Sequence, residues 1–159
     1  MKIRGYHGAD INKIVSLFYE TVHSVNARDY SLEQLNAWAP KDEIEVKLTN
    51  WKESLSNNIT YVAEINDKIV GFSDMSHNGH LDKLYIHKDF QGQGIATTLV
   101  NMLESEEREL RISEIDTKAS ITARPFFEHH GYKNIGSQTV ERRNITLINY
   151  KMIKKLASE

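Results

Sequence analysis

One short segment, residues 91–96, has the residue types that point most directly to chemistry, because it reads Gln-Gly-Gln-Gly-Ile-Ala. Glycine enters left-handed backbone conformations at little cost and lets a ligand approach the main chain without meeting a Cβ atom. If such a loop opens a helix, free backbone N–H groups and the positive end of the helix dipole converge at one point. The segment therefore predicts an anion or phosphate site, although a tight turn before a core helix would use the same glycines.

A histidine and an aspartate stand two positions apart shortly before this loop. His80 and Asp82 fall in an alternating stretch, so we expect their side chains to share one face of a strand. An imidazole exchanges protons near neutral pH, and a neighbouring carboxylate can orient it. The pair is a candidate general base with its orienting group, and a purely structural hydrogen bond at the strand edge is the alternative interpretation.

The elements around the loop are predicted from hydrophobic periodicity. Residues 81–87 alternate and are rich in apolar and aromatic side chains, which predicts a strand. From Ile95 onward, the apolar residues recur at helical spacing, and residues 111–117 predict a further strand. A strand, a helix and a strand in this order form a right-handed βαβ crossover with two parallel strands. Ligands bind beyond the carboxyl ends of such strands, where the glycine loop falls.

The rest of the chain predicts three helices before the first long strands and one after the crossover. We expect Asp10 to cap the first helix, and Ser31 with Gln34 to form a capping box for the second, which Pro40 ends. The predicted helices cover residues 11–25, 32–38, 44–55 and 120–130, the last with Thr122 as its cap and Gly131 as its terminator; the predicted strands cover residues 1–6, 61–65, 68–75, 132–140 and 145–153.

Length and composition favour a single domain spanning residues 1–159. Hydrophobic residues make up 40%, charged residues 26%, and the formal net charge is −2, so nothing predicts a nucleic-acid or membrane partner. The chain has no cysteine, which excludes disulfides and thiol catalysis and agrees with a cytoplasmic location. No long apolar run predicts a secretion signal or a membrane span. A homodimer is left open.

Two motifs carry a resemblance to a known family. Gln91, Gly94 and Ala96, between a strand and a helix, resemble the Q/R-x-x-G-x-G/A pyrophosphate motif of the GNAT superfamily of N-acetyltransferases. Residues 123–132, which read Ala-x-x-x-Phe-Glu-x-x-Gly-Tyr, resemble a later motif of the same superfamily. The resemblance implies an α+β fold with a mixed, mostly antiparallel sheet, one parallel βαβ pair and flanking helices. It also implies transfer of an acetyl group from acetyl-CoA to a primary amine of a small molecule or peptide.

The resemblance implies a position for each part of acetyl-CoA. The cofactor would lie between two splayed parallel strands, with its pantetheine arm along the first strand and its pyrophosphate on the glycine loop. A main-chain N–H near the middle of the first strand would stabilise the oxyanion of the intermediate. The residues implied as cofactor-binding are Leu84, Tyr85, Ile86, Gln91, Gly92, Gln93, Gly94, Ile95, Ala96, Ser120 and Phe127.

The resemblance also bears on the acceptor and on proton transfer. His80 matches the position where several family members place a glutamate base. The family's usual tyrosine acid and an asparagine are replaced here by Phe127 and Ser120, which leaves Tyr132 as the nearest hydroxyl by sequence. Tyr132 is a candidate acid, with an aromatic core residue as the alternative interpretation. The acceptor pocket is implied in the aromatic N-terminal region, at Tyr19, His23, Tyr30 and Trp38.

Three other interpretations of these features were considered. A dinucleotide-binding domain would use Gly92 and Gly94, but Thr97 occupies its third glycine position and the loop lies too far from the strand. The histidines at 77, 80, 129 and 130 lack a cysteine or acidic cluster, so we predict no metal. A CoA-binding sensor or interaction module without catalysis stays open, because the usual acid is missing.

Overall fold

The computed structural model describes residues 1–156, and its centre is a seven-stranded sheet in the order β1-β2-β3-β4-β5-β7-β6. Only β4 and β5 run parallel, and the other neighbours are antiparallel. This confirms the predicted fold class. The strands are β1 (Lys2–Gly5), β2 (Ile59–Ile65), β3 (Lys68–Met75), β4 (His80–Ile86), β5 (Glu114–Ser120), β6 (Lys133–Arg142) and β7 (Ile145–Lys155); the helices are α1 (Ile11–Ser24), α2 (Leu32–Trp38), α3 (Ile44–Asn57), α4 (Ile95–Glu109) and α5 (Arg124–His129).

Helices cover both faces of the sheet because successive strand residues point to opposite sides. On β2, Val62 packs into the cluster formed with α1 and α3, whereas Ala63 packs into the cluster formed with the start of α4. Phe127 of α5 belongs to a third cluster with the middle of α4 and with Met75 and Leu81 of the sheet. No helix within residues 1–156 is long and apolar enough to cross a membrane.

Local sequence signals that involve only neighbouring residues are confirmed. Ser31 and Gln34 form the predicted capping box at the start of α2, with side-chain-to-backbone bonds of 2.9 and 3.1 Å. Asn66 and Asp67 have φ values of 51° and 63°, the backbone of a tight hairpin turn between β2 and β3. Gly131 follows α5 with a φ of 88°, as expected of a helix terminator.

The boundaries of β5 and α5 differ most clearly from the predicted ones. β5 begins at Glu114 and extends to Ser120, because its pairing with β7 continues to the last residue, where Ser120 faces Asn149. Ser120 therefore belongs to a strand, and α5 is a shorter helix that begins at Arg124 with Ala123, not Thr122, at its N-cap. Long-range pairing, which short-range patterns do not contain, decides this boundary.

Asp10 does not cap α1 through its side chain as the sequence predicted. Its carboxylate accepts hydrogen bonds from the His7 backbone N–H at 2.8 Å and from the Arg4 guanidinium at 2.9 Å. The Arg4 guanidinium holds the pKa of the Asp10 carboxyl below its usual range. Asp10 thus fixes the turn that leads from β1 into the helix.

Candidate active site

The site begins where the two parallel strands separate. β4 and β5 pair only at His80 with Asp116 and at Leu81 with Thr117, and the Thr117 hydroxyl donates to the Leu81 carbonyl at 2.9 Å. Immediately afterwards, Asp82 is an extra residue on β4, because the antiparallel register with β3 shifts at this point. A β-bulge bends its strand and increases the local twist. The bulge therefore accounts for the divergence of β4 from β5, which opens a cleft in the sheet.

The cleft contains a cavity of about 180 Å³. Its walls come from the separated parts of β4 and β5, the start of α4, and α5. Seven of the residues predicted to bind the cofactor line this cavity: Leu84, Tyr85, Ile86, Gln91, Ala96, Ser120 and Phe127.

The glycine loop lies at the carboxyl end of β4 and directly precedes α4. Gly92 and Gly94 have φ values of 72° and 80°, and a Cβ atom at either position would meet nothing within 4 Å. The loop therefore needs glycine for its backbone conformation and borders open space on that side. The Gln91 side-chain amide donates to the Ile86 carbonyl at 2.6 Å and ties the loop to the strand.

The loop supplies the donors that an anion site requires. The first N–H groups of an α-helix have no partner within the helix, and α4 starts at Ile95 right after the loop. The Ile95 side chain itself is buried in the core at 2% exposure, so only its main chain is available to a ligand. Four of the residues predicted to bind the cofactor, namely Gly92, Gln93, Gly94 and Ile95, do not line the 180 Å³ cavity.

A second cavity of about 320 Å³ lies beside the first. The two cavities share five lining residues, which are Trp38, Asp82, Tyr85, Lys118 and Ser120. Aromatic side chains from α1, α2 and α3 form much of the second cavity, and His80 also lines it. The cavity at the glycine-loop end of the sheet opening and the cavity lined by the candidate base are therefore neighbours that share part of their walls.

His80 is oriented by Asp116 and not by Asp82, which corrects the predicted pairing. Its Nδ1 atom lies 2.5 Å from Asp116 Oδ1, directly across the parallel pair. The bulge at Asp82 breaks the alternation on which the prediction rested, and the Asp82 carboxylate instead contacts the Lys83 ammonium at 2.7 Å. A carboxylate at Nδ1 favours a proton there and leaves the lone pair on Nε2. His80 can then accept a proton from a molecule in the second cavity.

Asp116 was missed as a site residue, because the register of two parallel strands is not encoded in local spacing.

Asp74, which lies on β3 next to the bulge, is fully buried. Asp74 accepts hydrogen bonds from Asn58 and from the backbone N–H of Lys83, both at 3.0 Å. Burial raises the pKa of the Asp74 carboxyl, and the nearby Lys83 ammonium opposes this shift. This cluster fixes the strand at the bend.

Tyr132 lies in the core and not in either cavity. Its hydroxyl donates to Glu104 Oε2 at 2.8 Å, and burial with the adjacent carboxylate raises the pKa of the Tyr132 phenol. The geometry therefore gives no support to the predicted role of Tyr132 as an acid and agrees with the alternative interpretation of a core aromatic residue. Phe127, in the position of the family's acid, packs against the Tyr132 ring at 5.0 Å.

The four predicted acceptor residues divide into two pairs. Tyr30 and Trp38 line the second cavity, with their rings 5.3 Å apart. Tyr19 and His23 line neither cavity, because the Tyr19 hydroxyl donates to the Pro40 carbonyl at 2.6 Å and His23 Nε2 lies 2.9 Å from the Ala39 carbonyl. They hold the end of α2 against α1, and the geometry gives no support to the acceptor role predicted for them.

The histidines considered as metal ligands have separate hydrogen-bond partners. His77 Nε2 lies 3.0 Å from the Asn57 carbonyl, and His130 Nε2 lies 2.8 Å from the Thr97 hydroxyl. Within the part of the chain that the structure describes, no group of three His, Cys, Asp or Glu side chains could hold a metal ion.

Comparisons with known proteins identify the family. A family model described as an acetyltransferase (GNAT) domain matches residues 26–154. The uncharacterized N-acetyltransferase YafP of Escherichia coli (strain K12) is 34% identical over 153 residues, which cover 96% of this chain and 94% of the relative.

Solved structures agree with this assignment. The GCN5-related N-acetyltransferase from Rhodopseudomonas palustris superposes with a TM-score of 0.90 at 31% identity, covering 98% of this chain and 95% of that one. The PaiA N-acetyltransferase from Thermoplasma acidophilum, solved in complex with coenzyme A, shares the fold with a TM-score of 0.75 at 19% identity and 98% coverage of both chains. The family match, the sequence relatives and the sheet with its single splayed parallel pair together show that this chain belongs to the GNAT superfamily of acetyl-CoA-dependent N-acetyltransferases.

Proposed function

We propose that this chain transfers an acetyl group from acetyl-CoA to a primary amine of a small molecule or peptide. The observation that carries the proposal is the opening between β4 and β5, which has a cavity at the glycine-loop end of β4. A second cavity, lined by His80 and aromatic side chains, lies beside it and shares five of its lining residues. A cytoplasmic location and a homodimer stay predictions from the sequence.

The residues of the cleft fit the chemistry of acetyl-CoA. Backbone N–H groups of residues 91–96 at the start of α4 would bind the pyrophosphate, because a helix N-terminus attracts anions. The open space beside Gly92 and Gly94, into which a Cβ atom would project, supports this assignment. The main chain of residues 84–86 would bind the pantetheine arm, with Ser120 and Phe127 on the opposite wall.

The chain's own groups would then move one proton and stabilise one charge. His80 Nε2 accepts a proton from the acceptor's amine, whose nitrogen forms a bond with the thioester carbon. A backbone N–H near Leu84 or Tyr85 donates to the resulting oxyanion, a contribution of a few kcal/mol when well aligned. The carbon–sulfur bond then breaks, the thiolate of coenzyme A departs with its electron pair, and the nitrogen releases its second proton to this thiolate or to water.

The departing group does not require an acid from the protein. A thiol of this kind has a pKa of about 8.5, judged from cysteine, so the thiolate is a tolerable leaving group near neutral pH. This is consistent with Phe127, which has no proton to donate, and with Tyr132, whose hydroxyl is engaged by Glu104. The missing acid therefore does not argue against catalysis.

The test is release of the free thiol of coenzyme A from acetyl-CoA when single primary amines are added. The wild-type protein should release thiol, and His80→Ala should lower kcat/KM by roughly 10²–10⁴. The loss should shrink at high pH, where the amine is already neutral. Binding of CoA without thiol release for any amine would instead favour the alternative, a CoA-binding sensor or interaction module.

A further inference from the structure

The charges around the second cavity are mostly positive. Its charged lining residues, apart from His80, comprise one carboxylate and four cations, namely Asp82, Lys47, Lys83, Lys118 and Arg142. The partners of Asp82, Lys83 and Lys47 bear on which kind of acceptor the cavity can hold, because an unpaired charge attracts a ligand of the opposite sign.

The only carboxylate among these lining residues is already used. Asp82 Oδ2 lies 2.7 Å from Lys83 Nζ, and the buried Asp74 contacts the same ammonium at 3.3 Å. Lys83 is thus neutralised by two carboxylates of the chain itself. A cationic acceptor such as a polyamine would find no free carboxylate among the described residues of the cavity wall.

Lys47 is in the opposite situation. It lies on α3 with its Nζ atom 5.6 Å from the ring centre of Phe18 and 5.7 Å from that of Trp51. Within residues 1–156, its ammonium has no hydrogen-bond acceptor and no ion-pair partner in contact. The nearby carboxylate of Glu43 is held by Arg143 at 2.6 Å. Among the described residues, the contacts of the Lys47 ammonium are therefore with aromatic faces, and its side chain is only partly exposed to water.

The surroundings of Lys47 make its charge costly. Burial lowers the pKa of the Lys47 ammonium, and the nearby cations Arg142, Arg143 and Lys83 lower it further, while Glu43 opposes them. An anion placed in the cavity would relieve this repulsion. Between two amines of similar size, the cavity should therefore prefer the one that also carries a negatively charged group.

The aromatic residues that line the rest of the second cavity indicate the uncharged part of that molecule. Phe18, Trp51 and Tyr85 form a contiguous aromatic group, with Phe18 4.8 Å from Trp51 and 5.0 Å from Tyr85 between ring centres. Tyr30 and Trp38 extend this aromatic lining. The volume of about 320 Å³ lies at the small end of the range for ligand sites, which begins at roughly 300 Å³. The wall fits a compact ligand with an aromatic or large apolar group.

We propose that the acceptor is an α-amino acid with an aromatic or large apolar side chain, whose carboxylate binds Lys47 while its amine is presented to His80. The inference rests on the acetyl transfer proposed above and names its substrate class. Lys47 is then a specificity-determining residue, because it acts on the part of the acceptor that does not react.

The experiment uses amino acids paired with the amines that lack only the carboxylate. The pairs are phenylalanine and phenethylamine, tryptophan and tryptamine, tyrosine and tyramine, and leucine and 3-methylbutylamine, with spermidine as a cationic comparison. Thiol release should show a kcat/KM at least about tenfold higher for the amino acid of the preferred pair, the size expected of a charge-assisted contact.

Substitutions at Lys47 test whether the preference for a carboxylate depends on this residue. Lys47→Met keeps an unbranched chain over the aromatic rings and should raise KM for the amino acid about ten- to a hundredfold with little change in kcat, which erases the preference. Lys47→Arg should retain it. Lys52→Met is the matched control, because Lys52 lies on the same helix, is exposed and lines neither cavity, so its kinetics should equal the wild type.

The outcomes separate the two proposals. If amines without a carboxylate, or spermidine, are acetylated as well as the amino acids or better, the carboxylate proposal is wrong and acetyl transfer stands. A preference that survives in Lys47→Met also overturns the assignment to Lys47. If none of these probes releases thiol but another primary amine or a peptide does, the amino-acid proposal is wrong and acetyl transfer stands. If acetyl-CoA binds and no amine of any class releases thiol, the proposed function itself fails.

Discussion

A carboxylate on the neighbouring strand determines which imidazole nitrogen of His80 is free to accept a proton. Asp116 contacts Nδ1 and favours a proton on that atom. The side-chain amide of Asp116→Asn could donate to Nδ1 instead, which would place the imidazole proton on Nε2 and remove the lone pair that accepts the substrate's proton. We expect kcat to fall about tenfold or more, with KM for the amine nearly unchanged. The loss should stay below that of His80→Ala, because both side chains are partly exposed to water, 40% for His80 and 47% for Asp116.

Glu114→Gln is the control for this residue-scale prediction. It makes the same charge change on the same strand, and Glu114 lines neither cavity. Steady-state kinetics with one amine should leave Glu114→Gln at the wild-type rate. Asp116→Asn with an unchanged kcat would mean that Asp116 does not position the base.

Tyr132 provides a second prediction at the scale of one residue. Its hydroxyl meets the buried carboxylate of Glu104, which Lys154 also contacts at 2.8 Å. Tyr132→Phe should therefore lower the free energy of unfolding by about 1.5–3 kcal/mol, the range for a hydrogen bond to a charged group. Thermal unfolding measures this loss. A fall in kcat of a hundredfold or more, about 2.7 kcal/mol, would show that Tyr132 acts as the acid after all.

For single residues, the sequence indicates which side chains have the chemistry of a base but not which side chains contact them. His80 was predicted as the candidate base from its position before the glycine loop, and it does line the second cavity. Asp82 was predicted as its partner from strand alternation, which the bulge interrupts. Neither the bulge nor Asp116 could be predicted, since both depend on how two neighbouring strands align with β4.

At the scale of elements, the turn from β4 into α4 should bind the cofactor through its backbone. Gly94 has a left-handed φ of 80°, so Gly94→Ala should cost about 1 kcal/mol in backbone strain. The added Cβ atom would also project into the open space beside the loop. We expect CoA to bind at least about tenfold more weakly, as calorimetry would measure, a loss of about 1.4 kcal/mol.

Gly131→Ala separates backbone strain from ligand contact. Gly131 has a similar φ of 88°, its Cβ would meet Lys154 only at an ordinary 3.5 Å, and it lines neither cavity. The two variants should lose similar stability, and only Gly94→Ala should lose CoA affinity. Equal affinities in the two variants would exclude the loop as the cofactor site.

Turns and helix starts that depend on neighbouring residues were predicted. Strand boundaries that depend on pairing with a distant strand were not. The hairpin turn at Asn66 and Asp67 and the start of α4 after Gly94 follow from residue type and periodicity alone. β5 was predicted too early in the chain because β7 determines where it ends. That error placed Ser120 in the last helix, whereas it belongs to the strand that forms one wall of the cleft.

At the scale of the whole molecule, the sequence predicted the class of sheet and its single parallel pair, but not that β7 lies between β5 and β6. That order is a long-range property of two antiparallel pairings. It matters for the site, because it brings Leu147, Ile148 and Asn149 to the second cavity. The second cavity is thus lined by residues from both halves of the chain, which explains why only some of its lining residues were predicted.

The stability of the whole fold should depend on pH through one buried carboxyl on α4. Glu107 is 0% exposed, and neither carboxyl oxygen has a hydrogen-bond partner among the described residues. Burial raises the pKa of the Glu107 carboxyl above its usual value, with Glu106 acting in the same direction and His77 opposing it. The folded state therefore holds this proton at pH values where the unfolded chain has released it.

The sign of the effect follows from proton binding. A carboxyl with a raised pKa makes the fold less stable as pH rises from the unfolded value of about 4.3 through the folded value. Glu107→Gln removes the ionisation, so its melting temperature should exceed that of the wild type at pH 7 by about 2–4 °C, equivalent to about 1 kcal/mol. This gain should disappear as the pH falls to about 4 and below, because the carboxyl of Glu107 then becomes protonated in the unfolded chain as well.

Glu109→Gln makes the same charge change at an exposed position of the same helix and should show no such trend. A gain for Glu107→Gln that is equal at pH 4 and pH 7 would mean that the buried carboxyl does not ionise at a cost to the fold.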